Sequence, residues 1–162
     1  MKIGRVTLSD RASNGVYEDR SGPEIENILC ALFKDELEFE RVLLPDEQQQ
    51  IEAALRRLCR EGCALIVTTG GTGPTPRDVT PEATRMVIEK ELPGFGELMR
   101  AISFAKTPTA ILSRATAGVC GKTLIVNLPG NPRAIAECLP PLLPAIVEAI
   151  DHIAGFRPKR RD

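Results

Sequence analysis

Between Lys2 and Thr69 the chain alternates two hydrophobic periods, and that alternation constrains the fold more than any other feature. Lys2 to Leu8 reads as a strand. A helix opened by Pro23 follows, with Ile25, Ile28, Leu29, Leu32 and Phe33 on one face at helical spacing. Leu37 to Leu44 is a second strand. Glu47 to Glu61 is a second helix, with Ile51, Ala54, Leu55, Leu58 and Cys59 inward and Gly62 as its stop. Ala64 to Thr69 is a third strand. This order predicts one α/β domain, a three-layer α/β/α sandwich around a mostly parallel sheet. Ligands of such sheets bind beyond the carboxyl ends of the strands.

The second half continues the pattern. A third helix is expected with Thr80 as its cap and Pro81 at its first position, then a short helix around Gly96 to Phe104. Ile111 to Ser113 and Thr123 to Asn127 read as strands joined by a glycine-bearing turn. Asn131-Pro132 opens another helix with Ile135, Cys138 and Leu139 inward, and Pro140, Pro141 and Pro144 are expected to break it. A last helix carries Ile146, Val147 and Ile150. Residues 1–154 form the domain and 155–162 a C-terminal tail. The tail's basic residues, Arg157, Lys159, Arg160 and Arg161, read as a solvated, frayed terminus.

Composition narrows the function. The 162 residues are 43% apolar but only 4% aromatic, with no Trp, which implies an aliphatic core. Lys plus Arg number 21 against 22 Asp plus Glu, so no basic excess draws nucleic acid or an anionic membrane. No apolar run approaches the ~18 residues of a membrane span, and MKIGRVTL carries no secretory signal. The five cysteines include no CxxC pair, and His152 is the only histidine. They read as reduced thiols of a cytoplasmic protein rather than a zinc site, with Cys30, Cys59 and Cys138 among the apolar positions of helices.

The segment LIVTTGGTGPTPRDVTPEA, Leu65 to Ala83, departs from an ordinary strand-to-helix link. Such links run about two to six residues, whereas this one places Gly70, Gly71 and Gly73 at the strand end and Arg77-Asp78 before the helix. The glycines admit two readings. One is a tight turn under strain; the other is a nest of bare N–H groups that accepts an anion. Two decoys are rejected. GVCGKT lacks the first glycine of a P-loop, with Thr116 in its place, and leads into a strand. GTGPTP has Pro76 where a dinucleotide fingerprint needs its third glycine.

Four polar segments leave strand ends: Ser9-Asp10, Pro45-Asp46, Gly70 to Asp78 and Leu128 to Asn131. Asp46 is placed as the cap of the second helix, with Gln49 three residues on, or as a carboxylate for Mg²⁺ or substrate. In NLPGNP, Asn131 is a cap or part of an anion-binding helix start. Ser9 to Arg11 reads as an exposed loop or as part of the site. Arg114 is a surface charge or a phosphate ligand.

Together, SDRASNGVYEDRSG, LLPDEQ, TTGGTGPTPRDVTPEAT, PGFGELMR, TPTAILSRATAGVCGKTLIVNLPGNPRAIAEC and FRPKRRD resemble the molybdopterin adenylyltransferases, the bacterial MogA-type enzymes and the G domains of gephyrin-like proteins. The resemblance runs over nearly the whole chain in the right order. It implies a homotrimer that transfers AMP from MgATP to the terminal phosphate of molybdopterin, releases pyrophosphate and hands the product to a molybdenum-insertion protein. It implies that Asp46 and Asp78 are the catalytic, Mg²⁺-binding acids. Ser9, Asp10, Gly70, Gly71, Thr72, Gly73, Ser113, Pro129, Gly130 and Asn131 would surround the substrates. The substrate phosphate is already an anionic nucleophile, so no strong base is required. The alternative is a module that binds molybdopterin, or scaffolds partners, without turnover.

Overall fold

A computed structural model describes residues 1–161. The elements in chain order are β1 (Lys2–Leu8), α1 (Asp10–Ser13), α2 (Ser21–Leu32), β2 (Glu38–Leu44), α3 (Gln48–Arg60), β3 (Leu65–Thr69), α4 (Thr80–Arg85), β4 (Lys90–Glu91), α5 (Gly94–Phe104), a 3₁₀ turn (Pro108–Leu112), β5 (Ala117–Cys120), β6 (Thr123–Leu128) and α6 (Pro132–Ala154). One six-stranded sheet runs in the order β2-β1-β3-β6-β5-β4. The first four strands in that order are parallel, and β5 and β4 join antiparallel at the far edge.

Two aliphatic clusters make the three layers. On one face Ile25 and Leu29 of α2, Met99 of α5, and Ile135, Leu139, Leu142 and Ile146 of α6 pack on Ile3, Leu65, Val67, Leu124 and Val126. On the other, Ile51, Leu55 and Leu58 of α3 and Ala83 of α4 pack on Val6, Ile66 and Ile125. The residues of β3 and β6 are buried throughout, as expected of parallel strands covered on both sides.

Five local expectations are corrected. Ile111 to Ser113 is no strand: Pro108 to Leu112 forms a 3₁₀ turn, and β5 begins at Ala117. The three prolines do not break α6, which runs unbroken from Pro132 to Ala154. Its buried residues lie on one side, while Pro141 and Pro144 are exposed, so the carbonyls that prolines leave without N–H partners fall on the wet face. Thr80 does not cap α4. Its hydroxyl donates to the Gly70 carbonyl at 2.8 Å, tying the glycine loop to the helix start. Cys30 is exposed rather than inward, although all five thiols are unpaired. Residues 155–161 of the tail are docked instead of frayed, Asp162 lying outside the described residues: Arg160 bridges Phe33 antiparallel, the Lys159 N–H donates to Asp35 Oδ2 at 2.6 Å, and the Arg161 N–H donates to the Leu32 carbonyl at 2.7 Å. GVCGKT forms the β5–β6 hairpin, with Gly121 at φ 57°.

Candidate active site

The carboxyl ends of β1, β2, β3 and β6 converge on a cleft of about 550 Å³. Ser9, Asp10, Asp46, Gly70, Asp78 and Gly130 line it, together with Arg11, Tyr17, Asp19, Ser21 and Thr75. The other expected residues lie elsewhere. Gly71, Thr72 and Gly73 are not among its lining residues, although Gly71 and Gly73 lie against the Asp46 and Asp78 carboxylates that are. Ser113, Pro129 and Asn131 line a neighbouring cavity of about 220 Å³ with Arg100, Ser103 and Thr109. The two cavities flank the Pro129-Gly130 turn.

Each glycine of the loop has its own steric cause. A Cβ on Gly70, at φ 94°, would lie 2.2 Å from the Leu8 carbonyl, so the loop crosses the end of β1 at backbone distance. A Cβ on Gly71, at φ 63°, would lie 2.3 Å from Thr80 Oγ1 and 2.9 Å from Asp46 Oδ1. On Gly73 it would meet the Asp78 carboxylate at 2.9 Å. The glycines therefore make room for two carboxylates as well as for a ligand. Behind them the Thr72 carbonyl accepts from the Arg114 N–H at 2.8 Å, and Arg114 Nε donates to the Gly73 carbonyl at 2.8 Å. Arg114 also bonds the Asp78 carbonyl at 2.7 Å and pairs with Glu82. It is therefore no free surface charge: it buttresses the loop.

The first two strand ends are latched together. The Asp10 N–H donates to Asp46 Oδ2 at 3.0 Å, and the Asp46 N–H donates to Asp10 Oδ1 at 3.0 Å. Asp46 is thus not the cap of α3, which starts at Gln48 after Glu47 with no side-chain cap. Ser9 Oγ accepts from the Ala12 N–H at 3.2 Å and shares a hydrogen bond with the Tyr17 hydroxyl at 2.9 Å. Ser21 Oγ donates to the Gly130 carbonyl at 2.7 Å, joining the β1 loop to the β6 loop. Asn131 does cap α6, accepting from the Arg133 N–H at 2.9 Å.

Four aspartates line the cleft, and their partners separate them. Asp10 takes both Nε and Nη2 of Arg77, at 3.0 and 2.8 Å. That guanidinium, helped by the Asp46 N–H, holds its carboxyl below the usual range. Asp19 takes Arg5 Nη1 at 2.9 Å, the Thr7 hydroxyl at 2.8 Å and the Gly22 N–H at 2.9 Å. Asp78 accepts from the Thr75 N–H at 3.0 Å and its hydroxyl at 2.6 Å, both neutral donors. Among the described residues Asp46 has no ion pair, and its Oδ1 is a buried acceptor without a hydrogen bond. Burial, then the charges of Asp10 and Asp78, push its carboxyl up.

Among the described residues no three His, Cys, Asp or Glu side chains gather as a self-sufficient metal cage. The arrangement still fits Mg²⁺, which takes one or two carboxylates and completes its shell with phosphate oxygens and water. Among the described residues Asp46 and Asp78 form no ion pair, their charges interact, and one buried oxygen is orphaned.

Arg77, Tyr17, Asp19 and Thr75 were not among the site residues expected from the sequence. Arg77 carried a signal, as half of the charged pair that ends the glycine loop. Asp19 and Ser21 carried one only through their place in SDRASNGVYEDRSG.

A mostly parallel open sheet with an acid-lined crevice at its carboxyl edge, flanked by a glycine loop, defines an α/β domain of the class that binds ligands beyond its strand ends. Residues 4–148 match the family described as "Probable molybdopterin binding domain", and the chain belongs to that family. It is 50% identical over 171 residues to the molybdopterin adenylyltransferase of Helicobacter pylori strain J99, covering 98% of this chain and 97% of that one. It is 51% identical over 140 residues to the molybdopterin adenylyltransferase of Escherichia coli strain K12, covering 86% and 72%. The molybdopterin biosynthesis enzyme MoaB of Thermus thermophilus superposes with a TM-score of 0.88 at 43% identity, covering 96% of this chain and 98% of that one.

Proposed function

We propose that this protein is a molybdopterin adenylyltransferase of molybdenum-cofactor synthesis. It transfers AMP from ATP to the terminal phosphate of molybdopterin and releases pyrophosphate. One observation carries the reading beyond kinship: of four carboxylates in the cleft, only Asp46 and Asp78 lack a cationic partner among the described residues, and they stand at the glycine loop.

The chemistry balances without a protein nucleophile. A terminal phosphate oxygen of molybdopterin bonds to the α-phosphorus of ATP, the bond from that phosphorus to the bridging β-oxygen breaks, and pyrophosphate leaves. No side chain has to accept a proton, which suits a cleft lined, among the described residues, by no histidine, lysine or cysteine. Asp46 and Asp78 would hold Mg²⁺, which supplies neutralisation of the phosphate charge as it shifts toward the leaving group. Gly70 and Gly130 leave the cleft floor without side chains, so phosphates can approach the backbone closely. The adjoining cavity with Ser113, Pro129 and Asn131 gives the second substrate room beside the first.

The same reading takes the protein as a cytoplasmic homotrimer that passes its product to a molybdenum-insertion protein. Purified protein incubated with molybdopterin and MgATP should release pyrophosphate, and should stop when Mg²⁺ is chelated. Tight molybdopterin binding with no pyrophosphate under saturating MgATP would leave only a binding module.

A further inference from the structure

The loop that carries Asp78 also carries Arg77, and Arg77 reaches across to the segments that leave β1 and β2. Its Nε and Nη2 grip the two oxygens of Asp10, and Nη2 lies 2.8 Å from Glu47 Oε1. Asp10 is itself latched to Asp46 by the reciprocal pair of N–H bonds. One guanidinium therefore occupies the carboxylates on either side of Asp46 and leaves Asp46 Oδ1 without a partner. We propose that Arg77 is a positioning residue that assigns the divalent cation to Asp46 and Asp78 by keeping Asp10 and Glu47 out of its coordination shell.

This inference rests on the adenylyltransferase reading and adds a division of labour among the acids. Four carboxylates around one cleft would otherwise offer a cation several sites, only one of which bridges the reacting phosphates. A planar fork suits the restraint better than an ammonium, because it binds both oxygens of Asp10 at once. The role has an unusual sign. Removing Arg77 deletes a positive charge and frees Asp10, so the empty cleft should attract a cation more strongly while turnover falls. A merely structural arginine would lose both together.

Mn²⁺ binding to the nucleotide-free protein, followed by electron paramagnetic resonance, reads the first quantity, and pyrophosphate release reads the second. Arg77→Gln should bind Mn²⁺ about three- to tenfold more tightly, the range for a lost unit charge partly screened by water, and should lose at least ~10-fold in kcat. Arg77→Lys should keep wild-type Mn²⁺ affinity and a reduced kcat. In the Asp10→Asn/Arg77→Gln double variant only Glu47 is released, and Mn²⁺ affinity should fall back to near the wild-type value. The guanidinium is more than half exposed, and melting temperatures within a few degrees of wild type confirm that the variants fold. Weaker or unchanged Mn²⁺ binding by folded Arg77→Gln overturns the inference. Absence of Mn²⁺ binding by both wild type and Arg77→Gln, with pyrophosphate release intact, also overturns the inference; failure of the wild-type protein to release pyrophosphate instead overturns the adenylyltransferase reading beneath it.

Discussion

Replacing Asp46 by Asn should make the protein more stable and nearly inactive. Asp46 Oδ1 is a buried acceptor with no donor, and a buried unsatisfied polar group costs about 1–3 kcal/mol, more when charged. Asp46 is only partly buried, and Asn, with its oxygen on the Asp10 N–H, still leaves its amide nitrogen without a partner, so only the buried charge is relieved and about 1 kcal/mol is the expected gain. For a chain of this size that raises Tm by about 2–4 °C. The sign follows from the proton. Burial and the Asp10 and Asp78 charges raise the carboxyl above its ordinary value of 3.8, so the folded state holds the proton more tightly than the unfolded state. Ionisation therefore opposes folding, an effect absent below about pH 4 and complete once the pH has passed the folded-state value. The Asn variant should out-melt wild type at pH 7 in metal-free buffer and lose that advantage near pH 4. Its rate of pyrophosphate release should fall about 10²–10³-fold, the loss typical of one electrostatic contact to the transition state. Asp46→Ala separates the effects, because it strands the Asp10 N–H and should melt below the Asn variant. A fall of several degrees for Asp46→Asn at pH 7, or retained turnover, would refute the assignment.

Three further outcomes follow from the same geometry. Gly71→Ala should lose at least ~2 kcal/mol, read by denaturant unfolding, because positive φ strain adds to contact with Thr80 and Asp46. Wild-type stability there would show that the loop is not fixed as described. Asp78→Asn should fold normally yet slow AMP transfer at least ~100-fold, whereas Asp78→Ala should also lower Tm by a few degrees by losing the Thr75 bonds, which calorimetry would detect. Light scattering at micromolar concentration should give the mass of a trimer, and a monomer would remove that proposal.

The front half of the fold was legible because its signals are redundant. β1, β2, α3 and β3 lie within one residue of their expected bounds, since periodicity and punctuation agree there. Ile111 misled because one β-branched residue in a short segment weighs little against a 3₁₀ turn started by Pro108. The prolines of α6 misled because a sequence shows the lost hydrogen bonds but not the buried row from Ile135 to Ile150 that outweighs them. At the site, the four strand ends could be found from alternation alone. Which acid is paired could not, because the Arg77–Asp10 contact spans 67 positions and the Asp10–Asp46 latch spans 36. The cap reading of Asp46 fails only in three dimensions, where its carboxylate accepts from the Asp10 N–H and leaves the start of α3 uncapped.

The stitching of the cleft has a consequence for how the protein fails. Ser21 bonds Gly130 across 109 positions, Thr69 bonds the Pro129 carbonyl across 60, and the Asp10–Asp46 latch closes a third span. No contiguous fragment contains the whole constellation, so no partly assembled sheet can hold it. Ligand capture, catalysis and global cooperativity are thereby one property. On warming, substrate affinity should persist almost to the unfolding transition and then vanish with it, and ligand should raise that transition as a whole. A cell carrying a destabilised version of this chain would lose active molecules one at a time, each survivor fully competent.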